Sequence, residues 1–304
     1  MNSRCLFLAA AALLVLNSLS LPIQAGDKTP KLPKGFALEE QPKDAKQAKI
    51  VFIAGSNFYE PGEHEYIGGC AVLMDLVKQT PGIFPVLALD WPKSPDTFKD
   101  AKAVVLFLDG GDKHPALKGQ RLVQIQKLAE DGVGIVMLHQ GVDISKDFGD
   151  RMRDWMGAAF EQGTSRRAHW VTEFKEFPKH PITRGVAPFK TDDGYLYKLR
   201  FVPELKGVTP LLRTVSPKAK KAKLDNAAIV SWAFEREGGG RSFAFTGGHL
   251  HASFAEEGYR RFLTNGILWS ANVEISAAGA PVALTGAELN RYIEGRANIK
   301  EKQE

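Results

Sequence analysis

The chain has 304 residues, 44% of them hydrophobic and 25% charged, with two cysteines and a formal net charge of +5. That length supports one domain with a sizeable core and demands no second one. Much of the positive excess sits in "SPKAKKAKLD" (216–225), a run without interleaved aromatics that reads as a solvated loop, so no nucleic-acid partner is expected.

The first 25 residues have a short basic region at Arg4, an apolar run from Cys5 to Leu21 and a small residue, Ala25, at a cleavage point. The run is short for a spanning helix and is broken by Asn17 and Ser18, so 1–25 is read as a secretory signal peptide. The expectation is an exported protein, periplasmic or secreted, with no membrane association after cleavage. The mature chain would keep Cys70 alone, which rules out an internal disulfide. Residues 26–47, rich in Pro, Lys and Gly, are expected to form an extended arm, 48–273 the folded domain, and 274–304 a tail with a short charged helix.

Order begins with "AKIVFIAGS" (48–56), an apolar, β-branched run of the kind that forms a strand covered on both faces. Helical spacing follows in 63–80, a short strand in 84–90, a more buried strand in 101–111, a helix in 114–132 and another buried strand in 133–141. This alternation predicts an α/β fold with a mostly parallel sheet and helices on both faces. Ligands in such sheets bind beyond the carboxyl ends of the strands, which puts Ser56, Asp109 and His139 along one edge. Downstream, 147–160 is read as helical, 167–175 and 189–202 as strands, and "HPITRGV" (180–186) as a turn. The segments 208–216 and 226–237 flank the lysine loop as antiparallel strands, 238–249 adds a last buried strand, and 255–273 a closing helix.

A nucleophile elbow would fall after "GIVMLH", but the residues there are "LHQGVD", with neither serine nor cysteine. Cys70 lies among apolar helical residues and reads as core. The first strand is not followed by a glycine fingerprint, so no nucleotide cofactor is expected. Of seven histidines, His64, His139, His169, His249 and His251 fall near the predicted edge, with Glu65 beside His64; His114 and His180 precede prolines in turns and are assigned to structure. Imidazoles converging on one edge suit a divalent metal site, zinc or manganese, on His64, His139 and His249, or general acid and base work on a sugar or carbonyl substrate. The two uses stay open.

A helix opening "HEY", a strand ending "LH", then "WMGAAFEQGTSRRAHW", "HPITRGV", "TDDGYLYKL", "GRSFAFTGGH" and "FLTNGILW" together resemble the ThuA-like (trehalose utilisation) family over 48–272. The resemblance implies a flavodoxin-like, class I glutamine-amidotransferase-like fold without the amidotransferase cysteine. It also implies a role in sugar metabolism on disaccharides oxidised to keto sugars, by hydrolase- or lyase-type chemistry. Carried over by residue, His64, His139, His169, His249 and Asp193 fall on the family's motifs. The expected site then has His139 and His249 as catalytic residues, with His64, Glu65, His169, Asp193, Tyr195, Tyr197 and His251 binding a small-molecule carbohydrate. Gly194 stands where many members have glutamate. A carbohydrate-binding module without turnover and an envelope structural protein are the rival readings.

Overall fold

The computed structural model describes residues 32, 35–56, 59–218, 223–291 and 293. The segment expected to be a signal peptide, the start of the expected arm, the middle of the lysine-rich run and the end of the tail lie outside the described residues. Among those described, no helix is long and apolar enough to cross a membrane.

The amino-terminal half alternates strand β1 (Ala48–Ala54), helix α1 (Tyr66–Lys78), β2 (Ile83–Leu89), β3 (Ala101–Phe107), α2 (Arg121–Glu130) and β4 (Gly134–Leu138). Then come α3 (Gly149–Met156), β5 (Ala158–Ala159), β6 (Arg166–Phe174), β7 (Phe189–Tyr197), β8 (Arg200–Phe201), β9 (Val208–Arg213), β10 (Ile229–Glu235) and β11 (Arg241–Phe245). Helices α4 (Glu257–Ser270) and α5 (Gly286–Arg291) close the chain.

Seven strands form one sheet in the order β2-β1-β3-β4-β11-β10-β9. Strands β1 to β4 and β11 run parallel, which is the flavodoxin-like order, and β10 and β9 extend the sheet antiparallel. The fold class expected from the sequence is the one observed. Alternate side chains of each central strand enter opposite layers. Ile50, Phe52 and Ala54 of β1 join Leu73 of α1 and Phe262 and Ile267 of α4, while Val51 and Ile53 join Leu122 and Ile125 of α2 and Trp155 of α3. Each fully buried aliphatic or aromatic side chain contributes roughly 1.5–3 kcal/mol relative to exposure. Gly266 lets α4 lie against β11, since a Cβ there would meet the ring of Phe243.

Residues past α4 also pack inward: Ile275, Ala280, Val282 and Leu289 belong to the same apolar layer as α1 and α4. The helix read over 147–160 is shorter than expected. A 3-10 turn (Lys146–Phe148) precedes α3, which ends at Gly157 with φ 76°, and β5 follows at once. His114 and His180 are structural, each capping a single 3-10 turn by accepting a backbone N–H, from Ala116 and Ile182 respectively.

Burial pushes both of these imidazoles down from 6.5 to about 4. Because their folded values lie below the unfolded one, each contributes stability that is complete above pH 6.5 and lost as pH falls towards 4. For fully buried His114 the term is about 3 kcal/mol. His64 and His251 shift the same way, also to about 4. Asp193, raised by burial from 3.8 to about 6, opposes them, since its contribution is complete below 3.8 and lost as pH rises through 6. Four groups outweigh one, so the melting temperature should fall steadily between pH 6.5 and 4 in a thermal-denaturation series. A flat profile over that window would contradict the buried neutral histidines.

Candidate functional site

Three histidines from distant parts of the chain meet beyond the carboxyl ends of the parallel strands. His139 follows β4 directly and takes φ 52°, at the strand-to-turn position where an elbow nucleophile would stand. His64 lies two residues before α1 with φ 48°. Left-handed conformations at non-glycine residues cost about 1–3 kcal/mol each and persist only where the surroundings enforce them.

The surroundings here are explicit. The His64 amide donates to the carbonyl of His249 (2.8 Å), the His251 amide donates to that of Gly62 (2.8 Å), and Glu63 bridges Leu250 antiparallel. The loop before α1 is thereby zipped to the turn after β11. That turn is fixed in its own right by Asp193 of β7, whose buried carboxylate accepts from the amides of Gly248 (2.9 Å), His249 (2.8 Å) and Leu250 (3.3 Å).

Ring centroids are 4.8 Å apart for His64 and His139, 4.5 Å for His64 and His249, and 5.6 Å for His139 and His249. One nitrogen from each ring lies within 4.8 Å of the others. Hydrogen bonding fixes the tautomers. The Thr246 carbonyl can only accept, so His139 Nδ1 donates to it (3.0 Å) and Nε2 carries a lone pair. That Nε2 is buried and has no partner among the described residues. Tyr66 donates to Asp109 Oδ1 (2.9 Å) and therefore accepts from His64 Nδ1 (2.8 Å), which leaves the His64 Nε2 lone pair facing His249 Nδ1 at 2.8 Å.

Burial, with smaller contributions from His249 and the Arg167 guanidinium, lowers His64 to about 4. Burial takes His139 well below the ordinary histidine value, and His249 falls for the same reason, opposed by Glu63. All three are neutral at pH 7, the state in which an imidazole nitrogen can ligate a cation or accept a proton. His64 and His139 are 6% and 3% exposed, whereas the His249 side chain is 23% exposed, with its Nε2 3.9 Å from Glu63. His249 is thus the member an incoming ligand meets first.

The remaining sequence-derived site residues divide. His169, on β6, stands beside the cluster, its ring 5.7 Å from that of His249 and its Nε2 3.4 Å from Asp192. Five others are engaged in bonds or packing of their own. His251 turns away and approaches the carbonyl of Leu289 in α5 (3.2 Å), with its ring against Phe254. Asp193 is 0% exposed and directed to backbone amides, so it positions the turn that carries His249. Tyr195 is buried and its hydroxyl is shared with Thr191 (2.6 Å). Tyr197 packs edge-on to Trp170 (5.5 Å). Glu65 is buried and accepts from the amide of Gly62 (2.9 Å).

Gly194 lets β7 pass close to His249: a Cβ there would lie 3.1 Å from both Cβ and Cγ of that residue and would push the imidazole by a few tenths of an ångström. Residues that the sequence did not single out complete the site. Tyr59 stacks on His64 at 4.3 Å and donates to Asp109 (2.5 Å), Tyr66 links His64 to Asp109, and Arg167 pairs with buried Asp143. Tyr66 stands in the quoted "HEY" run and Arg167 two positions before His169, so both were within reach of strand and motif spacing.

A separate cleft of about 620 Å³ lies between the β2–β3 connection and α2, lined by Lys93, Lys99, Lys102 and Lys127 among others. It contains no histidine and none of the buried titratable groups above, so chemistry and not size locates the site at the histidines.

Residues 58–270 match the family model ThuA, described as trehalose utilisation. A crystal structure of a protein described as ThuA-like from Parabacteroides merdae is 15% identical, covers 76% of this chain and 92% of its own, and superposes with a TM-score of 0.55. Another from Bacteroides uniformis is 14% identical, covers 76% and 94%, and gives 0.54. A glutamine amidotransferase from Thermotoga maritima is 9% identical, covers 84% and 94%, and gives 0.40. No match was found among curated proteins.

Proposed function

The chain belongs to the ThuA, trehalose-utilisation, family, and from that premise we propose that it is an exported protein acting on a carbohydrate at the His64, His139 and His249 cluster. The substrate is a keto sugar or disaccharide derivative, and the chemistry is of hydrolase or lyase type. Export rests on the signal-like residues 1–25.

The observation that carries the reading is the orphaned lone pair of His139 Nε2, buried beside His64 Nε2. A buried acceptor without a donor is costly, roughly 1–3 kcal/mol, and is retained where a ligand completes it. The donor set fits one divalent ion, zinc or manganese, on His64, His139 and His249. Two of these ligands have their far nitrogen oriented, His64 by Tyr66 and Asp109 and His139 by the Thr246 carbonyl. A bound ion would polarise a sugar carbonyl or acidify a water.

The chain's own residues divide the remaining work. Tyr59 and Tyr66, both held by Asp109, fix the His64 ring in position. Without an ion, His249 keeps its Nδ1 proton on His64 and its Nε2, 3.9 Å from Glu63, is the nitrogen that exchanges a proton with the substrate; with an ion on Nδ1 that Nε2 is an N–H and serves only as a donor. The test is release of monosaccharide from a C3-keto disaccharide by the purified chain, with and without added zinc or manganese, against His249→Ala. Turnover lost in the variant supports the enzyme. Binding without turnover in the parent would make the chain a carbohydrate-binding module, and neither binding nor turnover would overturn the carbohydrate reading.

A further inference from the structure

Arg167 and His169 lie two positions apart on β6 and so share one face of that strand. That face looks onto the histidine cluster: the His169 ring is near His249, and Arg167 reaches Asp143, the residue immediately after the 3-10 turn that begins at His139. The Arg167 guanidinium lies 4.8 Å above the centre of the Phe160 ring and donates to Asp143 Oδ2. Asp143 is wholly buried, yet the Arg167 side chain is 50% exposed. Its other N–H donors have no acceptor among the described residues. It is also close enough for its charge to act on His64, Tyr66 and His139.

An arginine serving only to neutralise Asp143 has no need of an exposed half. A guanidinium fixed by a carboxylate at one edge and an aromatic face beneath is a preorganised fork, and its unused N–H groups match a planar two-oxygen anion. Around it the three clustered histidines are neutral, while the rim acids Glu63 and Asp192 are drawn to His249 and His169. The mouth therefore offers free N–H donors at Arg167, while its rim carboxylates are taken up by His249 and His169.

We infer that Arg167 recognises a carboxylate on the substrate, so that the sugar taken at the histidine cluster is a sugar acid oriented with its carboxylate towards Arg167. The inference rests on the carbohydrate reading of the same site. Calorimetric binding of glucuronate, glucose and glucose 6-phosphate to the full chain tests it. Glucuronate should bind roughly 10- to 100-fold more tightly than glucose, the range for a hydrogen bond to a charged group. Arg167→Gln should abolish that preference while weak glucose binding remains. Because this change strands Asp143, the double variant Arg167→Gln with Asp143→Asn keeps the buried pair neutral and should behave alike. Equal affinity of the parent for glucose and glucuronate overturns the inference and leaves the carbohydrate reading standing. Tighter binding of glucose 6-phosphate than glucuronate overturns the carboxylate assignment. Binding of none of the three by a chain that binds or turns over the C3-keto disaccharide overturns the inference alone, and with neither of those both readings fall.

Discussion

Replacing His139 with alanine is expected to abolish ion binding and to lower turnover by roughly 10²- to 10⁴-fold, the range for loss of a positioned acid or base. Its Nε2 is a buried cluster nitrogen with no hydrogen-bond partner among the described residues, so the substitution removes a group whose lone pair serves nothing else. The cost to folding should be modest. The Thr246 carbonyl loses one donor, about 1–3 kcal/mol at most, and alanine must hold the left-handed conformation at φ 52°. His139→Asn is the companion variant, since asparagine tolerates that backbone more readily. Both should keep the parent circular-dichroism spectrum while losing function. Full activity in either would remove His139 from the site.

Asp193→Ala is expected to be the more damaging change to stability. Its carboxylate accepts the amides of Gly248, His249 and Leu250, and alanine leaves these donors in a buried turn. At about 1–3 kcal/mol for each unsatisfied group, discounted for water entry, the loss should reach roughly 3–5 kcal/mol. For a chain of this size that corresponds to a fall in melting temperature on the order of 10 °C. Ligand affinity should fall with it, because the turn carries His249. Gly194→Ala separates the two effects: it leaves the amides bonded but crowds His249, so affinity should drop with much less loss of stability. An Asp193→Ala protein as stable as the parent would mean that the turn holds itself without the carboxylate.

Much of the architecture was legible because parallel strands buried on both faces read as continuous β-branched runs, as in "KIVFIA" and "AVVLFL". The rule that ligands sit beyond the strand ends also places Asp109 and His139 on one edge from strand positions alone. The residues that stand away from the cluster do so for equally specific reasons. In β7, Phe189, Thr191, Asp193 and Tyr195 share one strand face, and the phenylalanine marks that face as the inner one. The period of two thus carries Asp193 and Tyr195 inward. His251 stands apart for a different reason. The chain after His249 is a 3-10 turn, so the residue two positions on does not return to the same side. The pairing of His64 with His249 depends on backbone bonds between a loop and a turn 185 residues apart, and no local pattern encodes such a contact.

In the proposed function His64, His139 and His249 form one ligand-completed site, and metal analysis of the purified chain after reconstitution with zinc or manganese tests this. About one equivalent should be retained, released by chelator and absent from His139→Ala. A folded parent that retains no ion, or a His139→Ala variant that retains as much as the parent, would contradict the ion-binding cluster.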